Sequence, residues 1–222
     1  TISKNNLSGD VRPLLVNATL VNNFYEGVTL KSFYRYYGLS NHGSQVHLPQ
    51  GFIVLDTGPR TGAPLENELY SYAKNSVGFE GGYNFARWLS AKFSYGYDRM
   101  HRHDREVFNA DEYGIGPTFD IKPISELLLR ASYRHLWRNI SAYNALPEAD
   151  AANISRKYDE AARRRNKASL FAQYTPLDNL ELHWGFELTT DRYLYATVGA
   201  QNDNNYSPSI GFVYTPLEWL RV

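Results

Sequence analysis

Hydrophobic and polar side chains alternate along several stretches of this chain. Between Leu89 and Asp98 the odd positions carry Leu, Ala, Phe, Tyr and Tyr, whereas the even positions carry Ser, Lys, Ser, Gly and Asp. The same alternation runs through 112–121 and 180–189. A period of two predicts β-strands whose two faces meet different surroundings. Strands of about ten residues can cross a bilayer when tilted, whereas strands of soluble proteins average about 5–6 residues.

Five junctions of one kind separate the predicted strands. Each has an aromatic residue or Ile, then a short turn with Pro, Asp, Asn, Ser or Gly, then a strand that opens on apolar residues. The junctions begin at Phe24, Phe85, Ile121, Tyr174 and Tyr214. Such turn residues favour tight reversals, and the unequal spacing excludes a solenoid, whose repeat has a fixed period. The pattern is typical of hairpins with short turns at one end and variable loops at the other.

The alternation and the junctions together predict about ten strands. Their predicted ranges are 10–24, 28–37, 70–85, 88–101, 109–121, 127–138, 161–174, 180–191, 206–214 and a stub from 220. The predicted loops are 38–69, 139–160, 192–205 and the charged turn 102–107. The second of these loops contains enough Ala and Glu to form a short helix. The predicted fold is all-β: an antiparallel transmembrane β-barrel, about ten strands of a larger barrel, with short periplasmic turns and long outer loops.

The two ends of the chain suggest that the barrel is not complete. The last predicted strand stops after three residues at Val222, and an unpaired strand edge has no hydrogen-bond partner in lipid. The first ten residues have neither the basic nor the apolar region of a secretory signal. We therefore expect 1–222 to form a single outer-membrane barrel segment, incomplete at its C-terminus and at its N-terminus.

Composition supports a wall with one apolar and one wet face. The chain contains 18 Tyr, 11 Phe and 4 Trp, yet its mean hydropathy is −0.48. A barrel in the bacterial outer membrane reconciles these values, although a soluble β-sandwich also alternates. The 23 basic and 23 acidic residues balance, so we expect no nucleic-acid partner. The absence of cysteine excludes disulfides and covalent c-type haem attachment, and we expect no directly bound cofactor.

The inward face of the predicted barrel carries the largest set of candidate functional residues. They are Lys31, Arg35, Glu80, Lys92, Asp98, Glu112, Asp120, Arg130, Arg134, Glu181 and Glu187. They either solvate a water-filled pore or line a bore that another protein occupies. Glycines on the same face would widen the bore or admit a close approach to the wall. These are Gly78, Gly82, Gly96, Gly114, Gly116, Gly185 and Gly211.

Metal binding and catalysis are weaker alternatives. His101, His103 and Asp104 offer metal-ligand types, but their position at a strand-to-loop junction favours a solvated loop. The side-chain pairs that could support catalysis are Asp98 with His101, and Ser132 with His135. No nucleophile motif accompanies either pair, so we predict that the chain is not an enzyme.

A basic cluster lies before and within the start of the seventh predicted strand. It comprises 163–165, which are all Arg, together with Lys167, Arg156 and Lys157. Asp159 and Glu160 are adjacent, which favours a position at the outer rim of the barrel. Arginines there either bind lipopolysaccharide phosphates or a partner protein through charge-assisted hydrogen bonds, or are simply solvated.

Six stretches of the chain resemble the MtrB/PioB family of decahaem-associated outer-membrane proteins. They are NLSGDVRPLLVNATLVNNF (6–24), TLKSFYRYYGLSN (29–41), YAKNSVGFEGGYNFARWLSAKFSYGYDRMHR (72–102), EYGIGPTFDIKPISELLLRASYRH (112–135), SLFAQYTPLDNLEL (169–182) and YSPSIGFVYTPLEWL (206–220). The resemblance covers most of the chain apart from the loops. It rests on hairpin patterns, which specify a family well and individual sites poorly.

The resemblance implies a large barrel that encloses a periplasmic multihaem c-type cytochrome. Such a sheath insulates the haems from lipid and supports electron transfer across the outer membrane, in some members to a cell-surface multihaem cytochrome. The haem is carried by the partner cytochrome, which agrees with the absence of cysteine here. We therefore expect a porin-like sheath in an electron-transfer conduit, and the alternative is a passive diffusion porin for small solutes.

Overall fold

A computed structural model describes residues 8–48, 65–67, 69–103, 105–143, 159–195 and 200–216. Within these residues the secondary structure consists of eleven β-strands. The strands are β1 (Val11–Tyr25), β2 (Val28–Asn41), β3 (His47–Leu48), β4 (Leu65–Glu66), β5 (Ser71–Ala86), β6 (Leu89–His103), β7 (Asn109–Ile124), β8 (Leu127–Ile140), β9 (Ala162–Leu177), β10 (Leu180–Leu194) and β11 (Asn202–Tyr214). None of the described residues belongs to a helix long and apolar enough to cross a membrane.

Nine of the strands form one antiparallel sheet in which neighbours in the chain are neighbours in space. The order is β1-β2-β5-β6-β7-β8-β9-β10-β11, and β3 pairs with β4 in a separate small sheet. The long strands contain 13 to 16 residues. At about 3.4 Å per residue, a strand of this length crosses the hydrocarbon layer even when strongly tilted.

The connections are sorted by length between the two ends of the sheet. At one end, two-residue turns at 26–27, 87–88, 125–126 and 178–179 close the hairpins. Gly27 has a φ of 81°, a left-handed conformation that glycine adopts without steric cost. The other end, which we call the long-loop end, carries the connections before β5, β7, β9 and β11. This asymmetry is the layout of outer-membrane barrels, in which the short turns are periplasmic.

The register divides the side chains between two faces. Residues directly opposite each other on paired strands share a face. Tyr95, for example, lies between Phe79 and Ile115 on its neighbours. This apolar face exposes many large side chains, among them Phe93, Phe119, Leu170, Leu182 and Phe212. Because the described residues form a sheet of a single layer, none of them covers these side chains, and lipid is the natural cover.

The small protein core lies at the long-loop end. Its buried apolar residues are Val46, Val107, Ala110, Ala161 and Ala162. All five lie in or beside the connections rather than in the middle of the strands. The sheet itself is therefore held mainly by its hydrogen-bond ladders and by contacts along each face.

The predicted all-β antiparallel fold is confirmed, with longer strands than predicted. β2 continues to Asn41 rather than ending at 37, and β11 begins at Asn202 rather than at 206. The polar start of β11 pairs with the end of β10, where Asn202 lies opposite Arg192. The alternation of apolar residues ends where a strand leaves the hydrocarbon layer, but the hydrogen-bond ladder continues, so the sequence pattern underestimates strand length.

Parts of the sequence-based prediction lie outside the described residues. These are the strand stub from 220 and most of the helix proposed within 139–160, namely 144–158. The two edges of the described sheet are β1 and β11, which are not paired with each other. That 1–222 is one incomplete barrel segment stays a prediction.

Candidate functional site

All eleven charged residues predicted to face inwards lie on one face of the sheet. The register shows this directly: Lys31 lies opposite Glu80, Asp98 opposite Glu112, and Asp120 opposite Arg130. Lys92 follows on the same side of β6, Arg35 on β2, Arg134 on β8, and Glu181 and Glu187 on β10. We call this side the polar face. That it faces the lumen of a closed barrel stays a prediction.

A cluster of ion pairs joins three strands of the polar face, β7, β9 and β10, near the long-loop end. Arg165 donates two hydrogen bonds to Asp191, at 2.7 and 2.6 Å. Arg163 donates to Glu112 across 2.8 Å and also lies 3.6 Å from Asp191. The Asp191 side chain is only 3% exposed. Removing one partner of such a buried pair costs about 3–5 kcal/mol, because the other charge is left unpaired.

Further ion pairs extend this cluster along the polar face. Arg130 donates to both carboxylate oxygens of Asp120, at 2.5 and 2.9 Å. The other ion pairs are Lys74 with Asp98 at 3.0 Å and Lys167 with Glu187 at 2.8 Å, and His183 contacts Glu181 on its own strand. Exposed pairs of this kind contribute only about 0–1 kcal/mol each. Their consequence is electrostatic: neighbouring strands neutralise much of the charge on the polar face.

Five glycines leave part of the polar face without side chains. Gly78 and Gly82 lie on β5, Gly96 on β6, and Gly114 and Gly116 on β7. Gly78, Gly96 and Gly114 share one cross-strand row. We call this area the glycine patch. Since glycine has no side chain, another molecule can approach the backbone closely there.

Two long side chains lie across the glycine patch. A Cβ atom added at Gly78 would come within 2.2 Å of the Phe33 ring. At Gly96 and Gly114 it would come within 2.8 and 3.1 Å of the Arg134 guanidinium. Phe33 and Arg134 therefore occupy the space that side chains at these positions would need.

Four of the predicted residues make neither an ion pair nor a side-chain hydrogen bond with the described residues. They are Lys31, Glu80, Lys92 and Arg134, and they surround the glycine patch. Arg35 differs from these because it donates to the Asn17 side chain across 2.9 Å. The polar face therefore combines a neutralised cluster at the long-loop end with unpaired charges around the glycine patch.

A second charged cluster lies at the rim of the long-loop end. Arg105 donates to Glu160 across 2.6 Å and to Asp159 across 2.8 Å, and it lies 3.6 Å from Glu106. Glu160 is completely buried. Burial, followed by the neighbouring carboxyl of Glu106, raises the pKa of Glu160, although Arg105 opposes the shift. These contacts hold the segment before β9 against the connection between β6 and β7.

The structure separates the residue pairs proposed for catalysis. Residues three positions apart on a strand point to opposite faces, so Asp98 and His101 are divided by the sheet, as are Ser132 and His135. The Ser132 hydroxyl hydrogen-bonds that of Ser169 at 2.6 Å. His135 Nδ1 lies 2.8 Å from the Asn166 side-chain oxygen.

The histidines proposed as metal ligands lie in β6 rather than in a loop. His101 and His103 share the apolar-face side of the strand, with ring centroids 4.8 Å apart. Asp104, the third candidate, lies outside the described residues. The described part of the chain contains no group of three His, Asp or Glu placed to hold a metal ion.

The basic cluster predicted at the outer rim does not form one patch, because its strand residues are divided between the two faces of the sheet. Arg163, Arg165 and Lys167 alternate along β9 and take part in the ion pairs of the polar face. Arg164 lies between them on the opposite face. If the alternation with period two is continued from the strand into this charged run, it places Arg164 on one face and Arg163, Arg165 and Lys167 on the other. Arg156 and Lys157 lie outside the described residues.

Comparison with known proteins identifies the family. No curated protein matches this chain. The family described as "Putative outer membrane beta-barrel porin, MtrB/PioB" matches over residues 1–222. The match agrees with the nine-stranded sheet, its apolar face and its sorted turns. The chain therefore belongs to the MtrB/PioB family of outer-membrane β-barrel porins, which are proteins of the bacterial outer membrane.

Proposed function

We propose that this protein is a porin-like sheath that encloses a periplasmic multihaem c-type cytochrome and supports electron transfer across the outer membrane. The glycine patch is the observation that carries the proposal. Phe33 and Arg134 lie over the backbone at Gly78, Gly96 and Gly114, and a folded partner that displaces these two side chains can pack close to the wall there.

The distribution of charge on the polar face supports the same role. The cluster around Asp191 is neutralised within the wall, so a partner does not have to supply its counter-charges. Lys31, Glu80, Lys92 and Arg134 remain available around the glycine patch. Charges of both signs at an interface select a complementary surface and fix its orientation. In this proposal they orient the cytochrome in the barrel.

The sheath itself carries out no redox chemistry or catalysis in this proposal. The 222 residues contain no cysteine, and c-type haem is attached through cysteine. The partner cytochrome therefore carries the haem, and a cell-surface multihaem cytochrome would accept or supply electrons at the long-loop end.

Passive diffusion of small solutes is the second candidate function. The charged and hydroxyl-bearing polar face would also suit a water-filled channel. The two functions differ in one measurable property. A sheath is filled by its partner and contains haem when purified, whereas a diffusion porin is empty and conducts ions.

Purification of the full-length protein from its own outer membrane tests the choice. We expect haem absorbance to co-elute with the barrel in detergent at a constant ratio, and ion conductance in planar bilayers to be low. Conductance by a barrel that contains no haem would support the porin and contradict the sheath.

Two adjacent glycines provide a matched pair of variants. Gly82 lies on the polar face opposite Lys92, and Gly81 lies on the other face opposite Phe93. We expect Gly82→Phe to reduce the haem-to-barrel ratio severalfold, because its ring would occupy the partner's space. Gly81→Phe adds the same ring towards lipid and should leave the ratio unchanged. Equal ratios in both variants, with both barrels folded, would contradict the assignment of the glycine patch.

A further inference from the structure

Two arginines on the apolar face lie side by side without a counter-charge. Arg164 on β9 is directly opposite Arg192 on β10, and both side chains are exposed. Neither makes an ion pair or a side-chain hydrogen bond with the described residues, whereas their polar-face neighbours Arg163 and Arg165 both bind Asp191. Like charges in directly opposite positions on paired strands repel. A bound anion would relieve this repulsion.

The two arginines continue a row of aromatic residues. Arg164 lies opposite Trp137, which lies opposite Tyr113, which lies opposite Tyr97. The ring centroids are 5.5 Å apart for Trp137 and Tyr113, and 4.9 Å apart for Tyr113 and Tyr97. Such aromatic girdles mark the boundary between hydrocarbon and head groups. On the same face, Asp111 accepts a hydrogen bond from the Tyr97 hydroxyl at 2.6 Å.

The row lies towards the long-loop end, which faces the cell exterior in outer-membrane barrels. The anions at this level of the outer leaflet are phosphates carried by lipid. Guanidinium groups bind phosphate through paired, charge-assisted hydrogen bonds. Arg164 and Arg192 therefore match the phosphate of an outer-leaflet lipid in both charge and depth.

An apolar groove lies on the same strands below the two arginines. Its volume is ≈ 390 Å³, and its lining includes Ala131, Tyr133, Ala168, Leu170, Phe186 and Leu188. Leu188 precedes Arg192 by four residues on the same face, which is about 13 Å along an extended strand. Small side chains at Ala131 and Ala168 form the floor between larger neighbours. A groove of this kind fits an acyl chain.

We propose that Arg164 and Arg192, together with this groove, form a binding site for the phosphorylated, acylated lipid A part of lipopolysaccharide. The arginines bind a lipid A phosphate, and one of its acyl chains lies in the groove. The site is on the outside of the wall, so it does not depend on what the barrel encloses.

Titration of the purified full-length protein in detergent with bisphosphorylated lipid A tests this proposal. Binding is followed by native mass spectrometry, with dephosphorylated lipid A and inorganic phosphate as comparison probes. We expect Arg164→Gln combined with Arg192→Gln to weaken lipid A binding by about tenfold or more, since charge-assisted hydrogen bonds are lost. Arg87→Gln combined with Lys122→Gln removes the same charge at the turn end and should leave binding unchanged.

A second variant tests the groove independently of charge. Ala168→Phe fills the floor of the groove and should weaken lipid A binding severalfold while both arginines remain. Heat-modifiable migration in electrophoresis checks that each barrel is folded. Equal affinity of the unmodified chain and the double arginine variant would overturn the proposal. Displacement of lipid A by an equal concentration of inorganic phosphate would also overturn it, because it would indicate a simple anion site.

Discussion

At the scale of single residues, the middle of β7 is constrained by a close approach of two strands. Gly116 precedes Pro117, and the ladder to β8 is interrupted there: Ile115 pairs with His135, and pairing resumes at Thr118 in the same register. Proline has no N–H to donate. Position 116 meets the β8 backbone instead, because a Cβ there would lie 1.9 Å from the Tyr133 carbonyl oxygen.

We therefore expect Gly116→Ala to destabilise the barrel by about 1–3 kcal/mol, the usual cost of overpacking. Backbone atoms cannot move aside as the end of a flexible side chain can. Gly211→Ala is the matched control, since a Cβ at that position on the same face meets nothing within 4 Å. Urea unfolding in detergent micelles compares the two. Equal midpoints for both variants would show that the two strands can separate without cost.

The polar face shows what a sequence reveals at this scale. Alternation identified the side of the sheet for all eleven charged candidates, because the direction of a side chain follows from its position in a strand. It did not identify their partners. That Arg163 contacts both Glu112 and Asp191 depends on the register between strands, which is set by turns and loops that alternation does not describe.

At the scale of elements, the segment before β9 is held to the connection between β6 and β7 by charge. Arg105 contacts both Asp159 and Glu160, and Glu160 is fully buried. Burial raises the pKa of Glu160 above its ordinary value of 4.5. A carboxyl whose pKa is raised by folding contributes stability that is present below the ordinary pKa and is lost as the pH rises through the folded pKa.

We expect this contact to tighten as the pH falls from neutral into the acidic range. Amide hydrogen exchange at 105–107 and 159–161, corrected for the intrinsic pH dependence of exchange, measures it. Glu160→Gln resembles the protonated carboxyl and should keep the contact closed at every pH. Glu126→Gln, in an exposed turn at the other end of β8, should leave the profile unchanged. Protection that increases with pH in the unmodified chain would contradict the assigned direction.

The strand ends show why element boundaries were harder to predict than element types. Asn202 to Asn205 have low intrinsic preference for strands, yet they pair with β10 from Arg192 to Thr189. Pairing with an existing neighbour outweighs local preference. The run from Arg163 to Arg165 was also hard to interpret. Its three side chains are chemically identical, so the sequence shows no contrast between the faces, although successive residues still point to opposite faces. Sequence patterns are informative where lipid imposes a contrast between the faces, and less so beyond it.

At the scale of the whole molecule, the sorted connections define an orientation in the membrane. The two-residue turns lie at one end of the sheet, and the rim cluster around Arg105 lies at the other. Short turns are periplasmic in outer-membrane barrels. The proposed lipid A site therefore requires the long-loop end to face outwards.

Single cysteines test this orientation, because the 222 residues contain none of their own. We introduce Ala200→Cys at the long-loop end and Glu126→Cys in a turn; both positions are exposed. A membrane-impermeant maleimide added to intact cells should label the cysteine at 200, and should label the cysteine at 126 only after the outer membrane is permeabilised. The unmodified protein controls for other thiols. Labelling at 126 but not at 200 in intact cells would show that the barrel has the opposite orientation. Arg164 and Arg192 would then lie in the inner leaflet, and the basis for the lipid A site would be lost.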